Sequence, residues 1–539
     1  MSRPVRVADL VAQTLAAHGV QLAFGMPGGE VVTLIDALGL VGIRFVLARQ
    51  ETSAAIMAAG SHTRTNAPGL LVTTVGPGLA NAVNGIADAA QERVPLIVIS
   101  GVVDHLHRSR YTHQVFDHAR LLAPLVKGSF EIEAAGASST VARAIRLAMS
   151  DPMGPVHIDL APGTAAQPAQ DTFVQSPARA YVPAPAATDP GIESIRGALG
   201  GGARPLVIAG YEAVRAGAGP SLTSLSARLA MPVITTYKAK GLIPEELPQS
   251  MGGAGLSPLA DGELLHLVKA ADVVLLAGYD PIEMRAGWLD PFGPETHVIE
   301  LSAHPADHGM HRADARIIGN VRDVAAALHV GLAERTTWHG REPERTRKRL
   351  AELFAPRLPW GPHTVFDALQ KALPGDATMT VDSGAHRILL SQQMRFSRPN
   401  ALLQSAGLCT MGAAIPLAIG CAAANPGAPV IAVLGDGGLE MCLGELGTIR
   451  DQSLPIVIIV LQDESLALIE LKQNQAGLTR AGVRLGATRY EDIATAFSGA
   501  GVRVKSRPAL DTALRNALRS ACFTLIVCEI GASDYAGCL

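Results

Sequence analysis

The chain has almost no net charge, −3 from 45 Lys and Arg against 48 Asp and Glu, and no Lys/Arg tract at any point. A phosphate backbone is bound chiefly through a surplus of cations, so nucleic acid is excluded as an expected partner. Charged residues of either sign are few, 17% of the chain, while hydrophobic residues make up 48%. Yet no uninterrupted apolar run approaches the roughly 18–20 residues that a membrane span requires, so this apolar content belongs in the buried cores of a soluble protein. Cysteine is scarce and one-sided. Cys409, Cys421, Cys442, Cys522, Cys528 and Cys538 all fall in the last quarter, and none forms a Cys-x-x-Cys pair. They read as thiols in a reducing compartment, mostly small core residues, and the expected home is the cytoplasm. A signal peptide's apolar block is also missing from the start, where Arg3, Arg6 and Asp9 accompany a helix-period set, Val7, Leu10, Val11 and Leu15, closed by Gly19.

Glycine, by contrast, is abundant at 55 residues, with 35 prolines, spread through ordered-looking segments. Many tight turns at strand ends are expected. At roughly 100–200 residues per domain, a chain of this length implies three or four domains. Short Val, Ile and Leu runs bounded by Gly or Pro alternate with segments of helical length, the pattern of strands buried on both faces of a parallel sheet. They predict strands over 21–24, 45–48, 70–73, 96–100 and 156–160, then 205–209, 233–236, 273–277, 297–301 and 315–318, then 379–381, 430–434, 456–461 and 524–529. The predicted fold class is α/β, with three consecutive parallel-sheet domains over 1–165, 186–333 and 361–539. An Ala/Pro/Gln-rich stretch at 163–190 and a charged one at 334–348 separate them. The first and third blocks have similar lengths and Gly-rich strand-to-helix turns, which leaves room for a distant internal duplication.

The chemistry concentrates in the third block. One apolar strand runs into Gly435-Asp436-Gly437-Gly438, and the next runs into Gln462-Asp463-Glu464-Ser465. Asp436 and Asp463 therefore stand at the C-terminal ends of two parallel strands, where an open α/β sheet places its ligands. Two carboxylates at one crevice repel unless a cation sits between them, and Mg²⁺ favours one or two carboxylates, a backbone carbonyl and phosphate oxygens. Gly435, Gly437 and Gly438 let backbone N–H groups approach a phosphate at the following helix start. Alone, Gly-Asp-Gly is a common strand-end turn, and Asp463 could equally cap the next helix.

The spacing of 27 positions from Asp436 to Asp463 resembles the thiamine diphosphate motif, with Gln462-Asp463 where that family often has Asn-Asn. Phe24-Gly-Met-Pro-Gly-Gly29, Arg49-Gln-Glu-Thr52, Thr73-Thr-Val-Gly-Pro-Gly78 and Gly407-Leu-Cys-Thr-Met-Gly412 look like segments of acetolactate synthase and its relatives. The resemblance to this 2-oxo acid decarboxylase and carboligase group covers essentially the whole chain. It implies a pyrimidine-binding first domain, a central domain, a diphosphate-binding third domain, and thiamine diphosphate and Mg²⁺ as cofactors. Asp436, Asp463 and the Ser465 carbonyl become the protein's share of the metal shell. Glu51 becomes the glutamate that hydrogen-bonds the cofactor's pyrimidine nitrogen and so activates its thiazolium carbon. Met411 is matched to the apolar wedge beneath the thiazolium, its N–H and the Cys409 carbonyl meeting the pyrimidine. His386, in Asp382-Ser-Gly-Ala-His386, and the backbone of Leu466, Ala467 and Leu468 are matched to diphosphate contacts. For Met411 core packing, and for His386 a solvated loop, are the plain alternatives.

The same resemblance places Gly28, Gly29 and Gln114 along the substrate cleft. Ile469 stands where pyruvate decarboxylases carry a catalytic glutamate, and Thr74 where benzoylformate decarboxylase has a histidine, so simple decarboxylation loses weight. Lys472 is matched to a pocket-facing position, where a cation pairs with a substrate carboxylate, or else is solvated. FAD stays open: acetolactate synthases hold it mainly in the central domain, and Gly278-Tyr-Asp-Pro-Ile-Glu-Met-Arg285 keeps an arginine but departs from the usual pattern. The expected activity is decarboxylation of a 2-oxo acid with carboligation to an acceptor, in a homodimer or homotetramer whose sites lie between subunits. The alternatives are a lyase, non-ligating decarboxylase or flavin oxidase of the same superfamily, or a cofactor-binding sensor or partner subunit without turnover.

Overall fold

The computed structural model describes residues 4–173, 184–305 and 308–539. Its strands form three six-stranded parallel sheets, one after another along the chain. The first contains β1 (Leu22–Gly25), β2 (Arg44–Leu47), β3 (Gly69–Thr73), β4 (Leu96–Gly101), β5 (Ser129–Glu131) and β6 (Val156–Leu160). The second contains β7 (Pro205–Ala209), β8 (Val233–Thr236), β9 (Ser250–Ala254), β10 (Val273–Ala277), β11 (His297–Ser302) and β12 (Ala315–Ile318). The third contains β13 (Thr378–Val381), β14 (Leu402–Gln404), β15 (Val430–Gly435), β16 (Val457–Gln462), β17 (Ala500–Val504) and β18 (Thr524–Glu529).

The spatial orders are β2-β1-β3-β4-β6-β5, β12-β11-β10-β7-β8-β9 and β14-β13-β15-β16-β18-β17. The first and third sheets thus share one order, and in each the winding reverses between the first and third strands of the sheet. Those two reversal points are the crevices where such sheets bind ligands. Inner strands such as β4, β10 and β16 are buried along their whole length, as expected where helices cover both faces.

Four strands were not expected from the sequence: β5, β9, β14 and β17. Each lies at an edge of its sheet. An edge strand is paired on one side only and needs no long apolar run, and Ser-Met-Gly-Gly-Ala in β9 or Ala-Gly-Val-Arg-Val in β17 carries little of the β-branched signal. The charged 334–348 stretch is likewise more structured than a separator. It leads into the helix Glu342–Leu353, which has no fully buried residue but packs on the helix Pro258–Ala270. Just before it, Trp338 is buried and donates from Nε1 to the Pro205 carbonyl at 2.8 Å. Within the 163–190 stretch, residues 174–183 lie outside the described residues.

The first and third domains meet through two helices, Glu51–Thr65 and Ala414–Ala424. Their crossing is close because it runs over glycines: a Cβ on Gly420 would lie 2.0 Å from the Met57 carbonyl oxygen, and one on Gly60 2.5 Å from that of Leu417. All six cysteines are free thiols; Cys421, Cys442, Cys528 and Cys538 are buried, Cys409 is half-buried and Cys522 is exposed. Among the described residues, no helix is long and apolar enough to cross a membrane.

Candidate active site

In the third sheet, Gly435 of β15 pairs with Leu461 of β16, so Asp436 and Asp463 emerge from neighbouring strand ends. Asp436 opens the helix Asp436–Cys442 and is buried. Its carboxylate accepts N–H bonds from Gly437 at 2.9 Å and Glu464 at 2.7 Å. Asp463 accepts one from Ser465 at 3.0 Å. Burial raises the Asp436 carboxyl, and burial together with the Asp436 charge pushes Asp463 up to about 7. Two desolvated carboxylates that resist ionising side by side form a site that a divalent cation relieves.

Beside them, at the reversal point between β13 and β15, Asp382 is fully buried and accepts the N–H groups of Gly412 and Ala413, each at 2.9 Å. It thereby pins the segment that carries Cys409 and Met411. Gly438 closes in on it from the other side, where a Cβ would lie 2.0 Å from Asp382 Oδ2. Close packing against this aspartate is therefore the first reason for a glycine at 438. His386 is buried, and burial pushes its imidazole down to about 3, so it is neutral. Its Nε2 and the hydroxyl of Ser383 are buried without a partner. Buried polar atoms are rarely left so, and these two suit the oxygens of a diphosphate.

These groups surround a cavity of about 470 Å³. Every third-domain site residue foreseen in the sequence lines it, from His386, Cys409 and Met411 through Gly435, Asp436, Gly437 and Gly438 to Asp463, Ser465, Leu466, Ala467, Leu468 and Ile469, with one exception. Lys472 is exposed and does not line the cavity, which corrects the pocket-facing expectation for this chain taken singly. Met411 is only half-buried, so it is not a core residue. Cys409 sits in the left-handed region with φ 59°, and its Sγ accepts from the Arg387 guanidinium at 3.3 Å. Sequence reasoning missed Arg387, Ser383, Tyr535 and Met284; Met284 and Arg285, the latter met in the sequence only in connection with a flavin, are contributed to the wall by the central domain. Asp382 could have been found, since it ends β13 as Asp436 ends β15; the others carry no local signal.

A second crevice lies in the first domain, at the matching reversal point between β1 and β3. Glu51, 4% exposed at the start of its helix, accepts from Asn81 Nδ2 at 3.3 Å. A Cβ on Gly78 would lie 3.4 Å from Glu51 Oε1 and 2.7 Å from Thr74 Cγ2; one on Gly28 would meet Thr74 Oγ1 at 2.1 Å, and one on Gly76 the Gln114 carbonyl oxygen at 2.5 Å. Glu51, Gly28, Thr74 and Gln114 are thus gathered together, with Gly29 exposed at the rim. None of them lines the third-domain cavity of the same chain.

Elsewhere in the first domain, His118 Nδ1 lies 2.7 Å from Asp159 Oδ1 and His157 Nε2 lies 3.4 Å from it. Burial would raise the Asp159 carboxyl, but the hydrogen bond to His118 and the nearby His157 imidazole outweigh this and hold it at about 2. The direct His118–Asp159 contact is a hydrogen-bonded pair in its own right, and imidazoles are not the oxygen shell that Mg²⁺ selects.

Family models match all three domains in order: the thiamine pyrophosphate enzyme N-terminal TPP binding domain over residues 5–121, the central domain over 192–328 and the C-terminal TPP binding domain over 382–528. Acetolactate synthase of Bacillus subtilis is 30% identical across 98% of this chain and 94% of its own length. The chain belongs to the acetolactate synthase-like thiamine diphosphate enzymes. A probable acetolactate synthase large subunit of Methanocaldococcus jannaschii and the isozyme 3 large subunit of Escherichia coli are each 28% identical over 95% of the chain, covering 90% and 92% of their own lengths. The enzyme therefore has the three-domain architecture of this group, with thiamine diphosphate and Mg²⁺ as its cofactors, and its chemistry is that of 2-oxo acid decarboxylation and carboligation.

Proposed function

We propose that the enzyme decarboxylates a 2-oxo acid and joins the remaining acyl fragment to an acceptor carbonyl, as an acetolactate synthase-like carboligase. The observation that carries this reading is the pairing of buried Asp436 with half-buried Asp463 beside the unpartnered His386 Nε2 and Ser383 hydroxyl. In this reading Asp436, Asp463 and the Ser465 carbonyl hold Mg²⁺, while His386, Ser383 and the Gly437 N–H take the diphosphate. Met411 supports the thiazolium. When bound, thiamine diphosphate supplies an acidic ring carbon and an electron sink for the fragment left by CO₂. Glu51 holds and returns a proton at the pyrimidine nitrogen. Because Glu51 does not line its own chain's cavity, the complete site takes the first domain of one chain and the third of another, at least in a homodimer. With Ile469 on the cavity wall, no carboxylic acid stands at that position to protonate the fragment, which favours transfer to a second carbonyl over release as an aldehyde.

The test begins with protein desalted in thiamine diphosphate and Mg²⁺, which should retain both and convert 2-oxo acid into a ligated product. Glu51→Gln should keep the cofactor but slow exchange of its thiazolium proton by about 10²–10⁴-fold. Unchanged exchange would remove Glu51 from this role, and failure to retain cofactor would remove the site itself.

A further inference from the structure

The first-domain crevice holds a second carboxylate. Glu30 lies in the turn Gly29–Val31 that follows β1. Its Oε2 accepts from the Thr74 hydroxyl, just past β3, at 2.6 Å. A Cβ on Gly101, the last residue of β4, would lie 2.8 Å from Glu30 Cβ. The side chain thus lies across the ends of three adjacent strands, at the reversal point where this sheet binds ligands. Thr74 connects it to Glu51, since both Thr74 Cγ2 and Glu51 Oε1 border the space above Gly78. Glu30 is half-buried, and among the described residues no Lys or Arg pairs with it and its Oε1 has no hydrogen-bond partner. A carboxylate held by one hydroxyl at the strand ends, near a second carboxylate, keeps an acceptor oxygen available to a ligand.

Resting on the carboligase reading above, we propose that Glu30 is a substrate-recognition residue that selects a hydroxylated 2-oxo acid as donor. An apolar acyl tail packed here would desolvate Oε1 without replacing its lost hydrogen bond. A second carboxylate on the substrate would be repelled by both Glu30 and Glu51. A hydroxyl donates one hydrogen bond and brings no charge. Sites built to pair a substrate hydroxyl reject the analogue lacking it far more strongly than apolar pockets reject an extra methylene.

The experiment compares hydroxypyruvate with 2-oxobutyrate, which have the same heavy-atom skeleton and differ by hydroxyl against methyl, in the cofactor-loaded wild type, Glu30→Gln and Glu30→Ala. Thiazolium proton exchange is measured on all three first. Expected are unchanged exchange throughout and a wild-type kcat/KM about tenfold or more higher for hydroxypyruvate. Glu30→Ala should erase that preference, and Glu30→Gln, whose single amide oxygen replaces only one of the two carboxylate acceptors, should retain part of it. A wild-type ratio near one, a ratio unchanged in Glu30→Ala, or normal exchange with neither acid consumed would each overturn the assignment of Glu30. Absent exchange in the wild type would instead sink the carboligase reading, and this assignment with it.

Discussion

Glu92 joins three domains at one carboxylate, and its removal gives a prediction whose size follows from the geometry. Glu92 Oε1 accepts the N–H groups of Ala406 at 2.8 Å and Gly407 at 2.6 Å, at the start of the segment that carries Cys409 and Met411. Its Oε2 pairs with Lys238 of the central domain at 2.9 Å, with side-chain exposures of 8% and 11%. Removing one partner of a buried pair costs about 3–5 kcal/mol, chiefly through the charge left behind. Two backbone donors stripped of their acceptor cost about 1–3 kcal/mol each. These terms share one side chain and overlap, so Glu92→Ala should weaken the local structure by about 4–6 kcal/mol in all. Glu92→Gln, which keeps an acceptor for both N–H groups but likewise leaves Lys238 without its carboxylate, should lose only the ion-pair part, about 3 kcal/mol. A three-domain chain is not expected to unfold in one step. The measurement is therefore amide hydrogen exchange of peptides spanning residues 405–413, with cofactor affinity alongside. A change in opening free energy below about 1 kcal/mol for Glu92→Ala, or equal losses in the Ala and Gln variants, would refute the reasoning.

The neighbouring Asp88, whose Oδ1 accepts from Ser405 across the same interface, is pushed up to about 7 by burial and then by the Glu92 charge. A folded pKa above the unfolded value means that the stability it contributes is full below the ordinary carboxylate range and is lost as pH rises through about 7. Asp88→Asn should flatten the fall in thermal stability that the wild type shows as pH rises from the ordinary carboxylate range to about 7; an equally steep fall in the variant over that range would count against this. Gly438→Ala would drive a Cβ to 2.0 Å from Asp382 Oδ2, with an overpacking cost of about 1–3 kcal/mol. Its expected outcome is a lower melting point and loss of the thermal shift on adding thiamine diphosphate and Mg²⁺, and a variant that binds both as the wild type does would show that Asp382 does not shape the site.

Much of this enzyme was legible in its sequence because its strongest signals are local. A strand buried on both faces must be apolar along its length, so inner strands such as β4, β10 and β16 declare themselves. Strand-end residues are fixed by where the apolar run stops, so Asp436 and Asp463 could be placed at one crevice before any coordinates. The edge strands β5, β9, β14 and β17 could not be read, because half-paired strands are held by one neighbour and by backbone hydrogen bonds that any side chain permits. Nor could the helix Glu342–Leu353, which has no fully buried residue to set an apolar period. What the tertiary structure alone decided are contacts between segments tens to hundreds of residues apart. It set Glu92 against Ala406 and Lys238, and Glu30 on Thr74. It also kept Glu51 out of the cavity that Asp436 and Asp463 line in the same chain. Periodicity and spacing report which face of an element is buried, but which distant element covers that face depends on how the three sheets pack, and no stretch of sequence encodes that by itself.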